Sequence, residues 1–309
     1  MTKKAFVFPG QGSQSVGMLA DLYEAYPIVQ ETFSEASEAL GYDLWTVVES
    51  NADGRLNKTE VTQPAILTAS VAIFRVLSLD PAYQQPEIMA GHSLGEYSAL
   101  VCAGALNFVD AVKLVALRGQ AMQAAVPEGT GAMAAVIGLD DAAIALACEQ
   151  SAGDEVVAPV NYNSPGQVVI AGNKAAVERA SEACKAAGAK RVLPLPVSVP
   201  SHCALMQPAA EALAEALQSI DIRVPTIPVV HNVSVTVASS AENIREALVA
   251  QLYSPVRWTE TVQHMAAIGV TELFEVGPGK VLTGLTKRID KAVTGQSLSD
   301  LASVQAFNH

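Results

Sequence analysis

The sequence predicts an α/β fold: a layered core with a mainly parallel sheet, interrupted by a small insertion of the order β-α-β-β-α-β. Three observations predict it. Short apolar strand patterns alternate with helical patterns at both ends of the chain. The middle changes rhythm, with two strands joined by a tight turn. The 309 residues, 50% hydrophobic and only 16% charged, also hold enough apolar material for a large packed core. With aromatics at 5%, that core is expected to consist of Ala, Val, Leu and Ile.

Residues 4–8 read as a strand, followed by the Gly-rich loop 9–17 (PGQGSQSVG). Helical periodicity runs through 26–40 and again from 64 to 79. A short buried strand at 87–90 leads into a tight turn and a helix of small residues from 96, and strands alternating with helices imply a parallel sheet. Next, 131–138 reads as a strand and 140–150 as a helix N-capped by Asp140. Strands at 156–162 and 167–171 are joined across Asn163-Ser164-Pro165-Gly166. A helix over 173–187, capped by Asn173 and closed by Gly188, precedes a last strand at 191–197. This is the split βαβ order of ferredoxin-like folds, so 129–198 is expected to be an inserted subdomain. Residues 1–128 and 199–309 are expected to form one core, and the last dozen residues read as a loose tail.

Charge and composition exclude several functions. A formal charge of −12 argues against nucleic acid and anionic membrane surfaces, which reward a basic face. No apolar run reaches the roughly 18 residues of a membrane span; 64–74 (PAILTASVAIF) is too short. Two lysines precede only Ala5–Phe8 before Pro9-Gly10, less than the roughly 7–15 apolar residues of a signal peptide, so a cytoplasmic location is expected. Cys102, Cys148, Cys184 and Cys203 are scattered, which suits neither a disulfide framework nor a zinc site.

Gly91-His92-Ser93-Leu94-Gly95, between a short apolar strand and a helix, has the form of a nucleophile elbow. Its glycines permit a strained turn that lifts the serine hydroxyl clear of the sheet. The N–H of the next residue, Leu94, then faces the oxyanion that would develop at the helix N-terminus. A serine needs a base. His309 is terminal, His264 lies on a helix among solvent-facing neighbours, and the side chain of His92 points away from that of Ser93. His202, after the proline-rich stretch 194–200, and His231, ending a strand at 226–230, are equally plausible from spacing. No Asp stands where a hydrolase would place an orienting acid. Arg118 falls on the apolar stripe of a helix over 110–123, with Ala111, Leu114, Val115 and Met122. A buried guanidinium needs an anion, either a core carboxylate or the carboxylate of a substrate. Two further motifs lack their context. Gly129–Ala134 (GTGAMA) has its strand after it rather than before it, and Gly277-Pro278-Gly279-Lys280-Val281 lacks the Ser/Thr of a phosphate loop.

Phe8-Pro9-Gly10-Gln11-Gly12-Ser13-Gln14, Gly91-His92-Ser93-Leu94-Gly95-Glu96, Arg118, Pro200-Ser201-His202 and Glu275-Val276-Gly277-Pro278-Gly279 occur in one order. That ordered set resembles the malonyl-CoA:acyl carrier protein transacylases of bacterial fatty acid synthesis, from about residue 6 to about residue 288. The resemblance implies a hydrolase-like α/β core with a ferredoxin-like insertion, and an [acyl-carrier-protein] S-malonyltransferase working through malonyl-Ser93. It implies His202 as base, oriented by a carbonyl near Gln251, main chain or side chain. It further implies Gln11 and Leu94 as backbone donors to the oxyanion, Arg118 as holder of the malonyl carboxylate, and Gln63 as a polar pocket residue. No cofactor and no metal are implied beyond the two substrates, malonyl-CoA and phosphopantetheinylated acyl carrier protein. A monomer is expected. Carrier proteins are acidic, so docking calls for a local basic patch; Lys185, Lys190 and Arg191 form one candidate, and Lys280, Lys287, Arg288 and Lys291 another. The competing readings are an acyltransferase with another acyl preference, a serine esterase or thioesterase, and a non-catalytic carrier-binding module.

Overall fold

The computed structural model describes residues 3–197 and 199–307, so His309 lies outside the described residues. Nine strands, among the described residues, form two sheets: β1 (Lys3–Phe8), β2 (Ile88–Gly91), β3 (Gly131–Ile137), β4 (Val157–Ser164), β5 (Gln167–Asn173), β6 (Arg191–Pro194), β7 (Val229–Val230), β8 (Val270–Val276) and β9 (Thr294–Leu298). The first sheet runs β7-β2-β1-β8-β9 with every pair parallel. β1 lies at its centre, and Ala5, Phe6, Val7 and Phe8 are fully buried, as a strand covered on both faces requires. Phe6 and Phe8 face one helical layer, with Leu67, Leu100 and Val115 in it. Ala5 and Val7 face the other, around Trp258, Val262 and Leu285.

The second sheet, β4-β5-β3-β6, is antiparallel throughout. With the helices Asp141–Ala152 and Lys174–Ala186 it gives the order β-α-β-β-α-β, in which β5 pairs between β4 and β3. Val136, Val168 and Ile170 pack under the two helices. Met133 and Val169 face the other way, toward Cys203 and Leu205.

Several local expectations are corrected. The last insertion strand stops at Pro194, not at 197, because Pro194 and Pro196 supply no N–H to a ladder. Asp140 caps its helix, accepting from the N–H of Ala142 at 2.9 Å, but the Asn173 side chain does not; its Oδ1 accepts from the N–H of Val156 at 2.8 Å. The turn between β4 and β5 shrinks to Pro165-Gly166. Of the expected loose tail, residues 298–307 are ordered: β9 joins the parallel sheet, and Phe307 packs edge-on against Phe6 and Phe274, while the last two residues lie outside the described ones.

The largest displacement concerns the helix expected from residue 64. It spans Thr59–Leu77, so Pro64 lies inside it and Gln63 is carried on it, buried. At 19 residues it is long and apolar enough to cross a membrane, yet most of it is enclosed by the protein. It lies against Phe108–Ala124 at a point that only glycine permits: a Cβ on Gly119 would stand 2.6 Å from the Glu60 Cα and 2.7 Å from the Thr59 carbonyl oxygen. Both obstacles are backbone, so nothing can rotate away. Gly119→Ala should therefore push the two helices apart and lower stability by about 1–3 kcal/mol. A denaturation midpoint equal to wild type would refute this.

Candidate active site

Gly91 ends β2 and Gly95 begins the helix Gly95–Cys102, leaving three residues for the reversal. A Cβ on Gly95 would lie 2.0 Å from the Phe8 carbonyl oxygen, and one on Gly91 would lie 1.8 Å from the carbonyl carbon of Gly95. With both approaches open, Ser93 is forced to φ 51°, a left-handed conformation that serine adopts only when its surroundings hold it there. Asn232 does the holding: its Oδ1 accepts from the Ser93 N–H at 2.8 Å, and its Nδ2 donates to the Gly91 carbonyl at 2.6 Å.

His202, also left-handed at φ 64°, is fixed through its own N–H, which donates to the Leu252 carbonyl at 3.0 Å. Its Nδ1 lies 2.7 Å from the main-chain carbonyl oxygen of Gln251, and its Nε2 lies 2.8 Å from Ser93 Oγ. A carbonyl can only accept, so Nδ1 carries the proton and Nε2 offers its lone pair to the serine hydroxyl. Burial, with the neighbouring Arg118 charge, pushes the imidazole down to about 3, which keeps it neutral over the whole neutral range. His231 faces elsewhere: its Nδ1 donates to Glu96 Oε1 at 2.6 Å.

Arg118 is 1% exposed. Its Nη1 donates to Gln63 Oε1 at 2.8 Å, and its Nη2 to Gln251 Oε1 at 2.9 Å and to Ser93 Oγ at 3.3 Å. The guanidinium carbon lies 5.4 Å from the centroid of the Tyr97 ring. Among the described residues no carboxylate comes within ion-pair distance of it, and its Nε has no partner. Of the two anions considered for it, the core carboxylate is thus absent among the described residues, and neutral amide oxygens stand against the guanidinium instead. They accept from its two terminal nitrogens but not from Nε, and being neutral they do not cancel its charge.

Ser93, His202 and Arg118 open onto one cleft of about 540 Å³ between the two sheets. Gln11 and Leu94 line its core side, and Met133 and Val169 its insertion side. Among the described residues the N–H groups of Gln11 and Leu94 have no protein acceptor. The His92 ring is turned to Asn163 Oδ1, 2.8 Å away, and burial lowers its basicity. The described residues contain no cluster of three or more potential metal ligands.

The family described as acyl transferase domain matches residues 5–303, a range that includes the C-terminal stretch for which the motifs offered no pattern. The chain belongs to the acyl transferase family. It is 64% identical over 306 residues to the malonyl CoA-acyl carrier protein transacylase of Escherichia coli (strain K12), covering 99% of each chain. It is also similar to the crystal structure of an acyl carrier protein S-malonyltransferase from Vibrio cholerae, with 62% identity, a TM-score of 0.97, and 99% and 100% of the two chains covered. A malonyl-transacylase solved in complex with its type II PKS acyl-carrier protein matches at 60% identity and a TM-score of 0.97, over 99% of this chain and 98% of that one.

For this acyl transferase, two contacts in the site carried no chemical signal in the sequence. Asn232 looks like an ordinary loop residue after a strand, and nothing local ties it to Ser93, 139 positions earlier. Gln251 is expected near His202 with main chain or side chain left open; its main-chain carbonyl stands there, and the bond of its side chain to Arg118 had no signal in the sequence. Glu96 did leave a trace, as the one charged residue in the short helix Gly95–Cys102.

Proposed function

We propose that this chain is an [acyl-carrier-protein] S-malonyltransferase, moving malonyl from malonyl-CoA to the phosphopantetheine thiol of acyl carrier protein for fatty acid synthesis. The observation that carries the reading is a buried arginine with no carboxylate partner among the described residues, 3.3 Å from a serine hydroxyl that is itself 2.8 Å from a neutral histidine. In a malonyl thioester the free carboxylate is one methylene away from the reacting carbonyl. A cation beside the nucleophile is therefore at the right reach for that carboxylate.

The steps follow from the geometry. His202 Nε2 takes the Ser93 proton as Oγ attacks the thioester carbonyl. The negative charge on the carbonyl oxygen is received by the N–H groups of Gln11 and Leu94, donors worth about 3–4 kcal/mol each in comparable sites. The C–S bond breaks, the thiolate of coenzyme A takes the proton from His202, and malonyl-Ser93 remains. The Gln251 main-chain carbonyl fulfils the role of an orienting acid and stabilises the imidazolium. The carrier's thiol then gives its proton to His202 and attacks the ester, and Ser93 Oγ leaves with that proton. Ser93, His202 and the two substrates account for every proton and electron pair. Initial rates with both substrates varied should give parallel double-reciprocal lines; intersecting lines would refute the covalent intermediate.

This reading includes the division into a core, 1–128 with 199–309, and an insertion, 129–198. It is supported by β3 to β6 pairing with one another and, among the described residues, bridging to the core strand-wise only from Asn161 to Val256. It also includes a cytoplasmic location, where malonyl-CoA and the carrier meet.

The carrier's docking face belongs to the same proposal. Arg288 Nη1 donates to Gln167 Oε1 at 2.9 Å; Gln167 pairs with Ile137, and Ile137 with Arg191. Three adjacent strands thus join two basic groups that are about a hundred residues apart in sequence into one rim. Lys185 is instead engaged with Glu182 at 2.7 Å. Arg191→Glu with Arg288→Glu should slow malonyl transfer to the carrier by at least about tenfold while sparing malonyl-Ser93 formation. Equal slowing of both half-reactions would overturn the assignment.

A further inference from the structure

Glu96 is fully buried in the first turn of the helix behind the elbow, and among the described residues no lysine or arginine pairs with it. Its Oε1 accepts from His231 Nδ1 at 2.6 Å. Its Oε2 accepts from the Asn232 N–H and from Gln251 Nε2, each at 2.9 Å. None of these atoms touches substrate in the mechanism above. Two of the three donors, Asn232 and Gln251, nevertheless lead to working parts of the site. Asn232 bonds both Gly91 and Ser93; the Gln251 main chain bonds His202, and its side chain bonds Arg118.

We propose that Glu96 is the positioning residue for acyl selection: it fixes the Gln251 amide so that its oxygen, not its nitrogen, faces Arg118. The inference rests on the malonyl-transfer reading. An amide can stand either way round, and its two orientations differ little in shape. Here the choice is forced from both ends, because a carboxylate only accepts and a guanidinium only donates. Gln251 Nε2 also reaches the Ser93 carbonyl at 3.0 Å, so the same orientation braces the strained elbow. The arrangement separates two tasks. Glu96 supplies a negative charge to the neighbourhood, while Gln251 stands between it and Arg118. The cation is oriented but not neutralised, and it remains available to a substrate carboxylate. Were the amide reversed, its NH₂ would face the guanidinium, donor against donor, and Arg118 would turn away from Ser93.

The test is the ratio of acylation efficiencies, kcat/KM for malonyl-CoA over acetyl-CoA, per Ser93 counted by fluorophosphonate labelling. A partly misfolded preparation lowers both substrates equally and leaves the ratio unmoved. Glu96→Met, which keeps the length but removes both acceptors, should cut the ratio by about 10²-fold through misplacement of the clamp. Glu96→Gln should restore most of it, since one amide oxygen can still accept from Asn232 and Gln251 while His231 changes tautomer. Gln251→Met, with its main-chain carbonyl intact, should lose the ratio on its own, and adding Glu96→Met to it should cost the ratio nothing further. If Glu96→Met yields no folded chain, Gln251→Met decides, because it removes the amide that Glu96 is proposed to position. A wild-type ratio in Glu96→Met or Gln251→Met, or additive losses in the double variant, would overturn the proposal. Failure of the wild type to favour malonyl at all would instead overturn the functional reading beneath it.

Discussion

Incubated with malonyl-CoA, the wild-type chain should gain one malonyl group, and a Ser93→Ala chain should gain none. The elbow presents a single hydroxyl to the cleft with a base 2.8 Å away, and the base is neutral because burial and Arg118 hold its proton affinity down. Removing the oxygen leaves His202 without a proton to take and the N–H groups of Gln11 and Leu94 without an oxyanion to stabilise. Loss of the nucleophile in a comparable serine site costs about 10⁶-fold in kcat, so transfer to the carrier should vanish along with the adduct. Intact mass spectrometry reads the outcome directly. Free malonate accumulating without an adduct would make the chain a hydrolase. An adduct that persists in Ser93→Ala would place the nucleophile elsewhere.

The second large effect concerns the acyl group. Arg118→Met keeps most of the side-chain volume but deletes the charge. Malonyl loading should fall by the cost of leaving a buried carboxylate unpaired, about 2–5 kcal/mol, or from tens to thousands of fold. Acetyl loading should not fall in step, because acetyl has no carboxylate for Arg118 to hold; in the wild type it leaves the guanidinium facing a methyl group. The discrimination between the two thioesters should therefore collapse. Adduct yields at short times with each thioester check it. A parallel loss for both would mean that Arg118 serves the geometry of Ser93, 3.3 Å from it, and not the recognition of the acid.

Much of the architecture was legible because its signals are local. Apolar strands before helices identify a parallel sheet, and the period change expected over 129–198 matches the β-α-β-β-α-β succession of the second sheet and its two helices. The elbow could be read because a Gly-x-Ser-x-Gly between strand and helix has few other uses. The choice between His202 and His231 could not be made from spacing, since both follow apolar stretches. Only folding sets one against Ser93 and the other against Glu96. The helix start at Thr59 was hidden by Pro64, which by propensity belongs at a first turn; close packing at Gly119 outweighs that preference. The C-terminal segment was misread for a related reason. Its strand, TGQSL, is weakly apolar, and its helix is only seven residues long, so its order comes from docking onto Phe6 and Phe274 rather than from its own pattern.

The positive charge beside His202 has a thermodynamic consequence of its own. Arg118 lowers the proton affinity of the imidazole, and an anion bound to Arg118 must give part of that affinity back. By reciprocity, a proton on His202 must tighten the grip on the anion by the same factor. The two events coincide at the moment of attack, when the serine proton has moved to the histidine. On the proposed mechanism, malonyl held by Arg118 would strengthen the base that activates its own acceptor, and acetyl, lacking the charge, would not. Selection between them is exercised in the proton inventory of the site as well as in the fit of the acyl group.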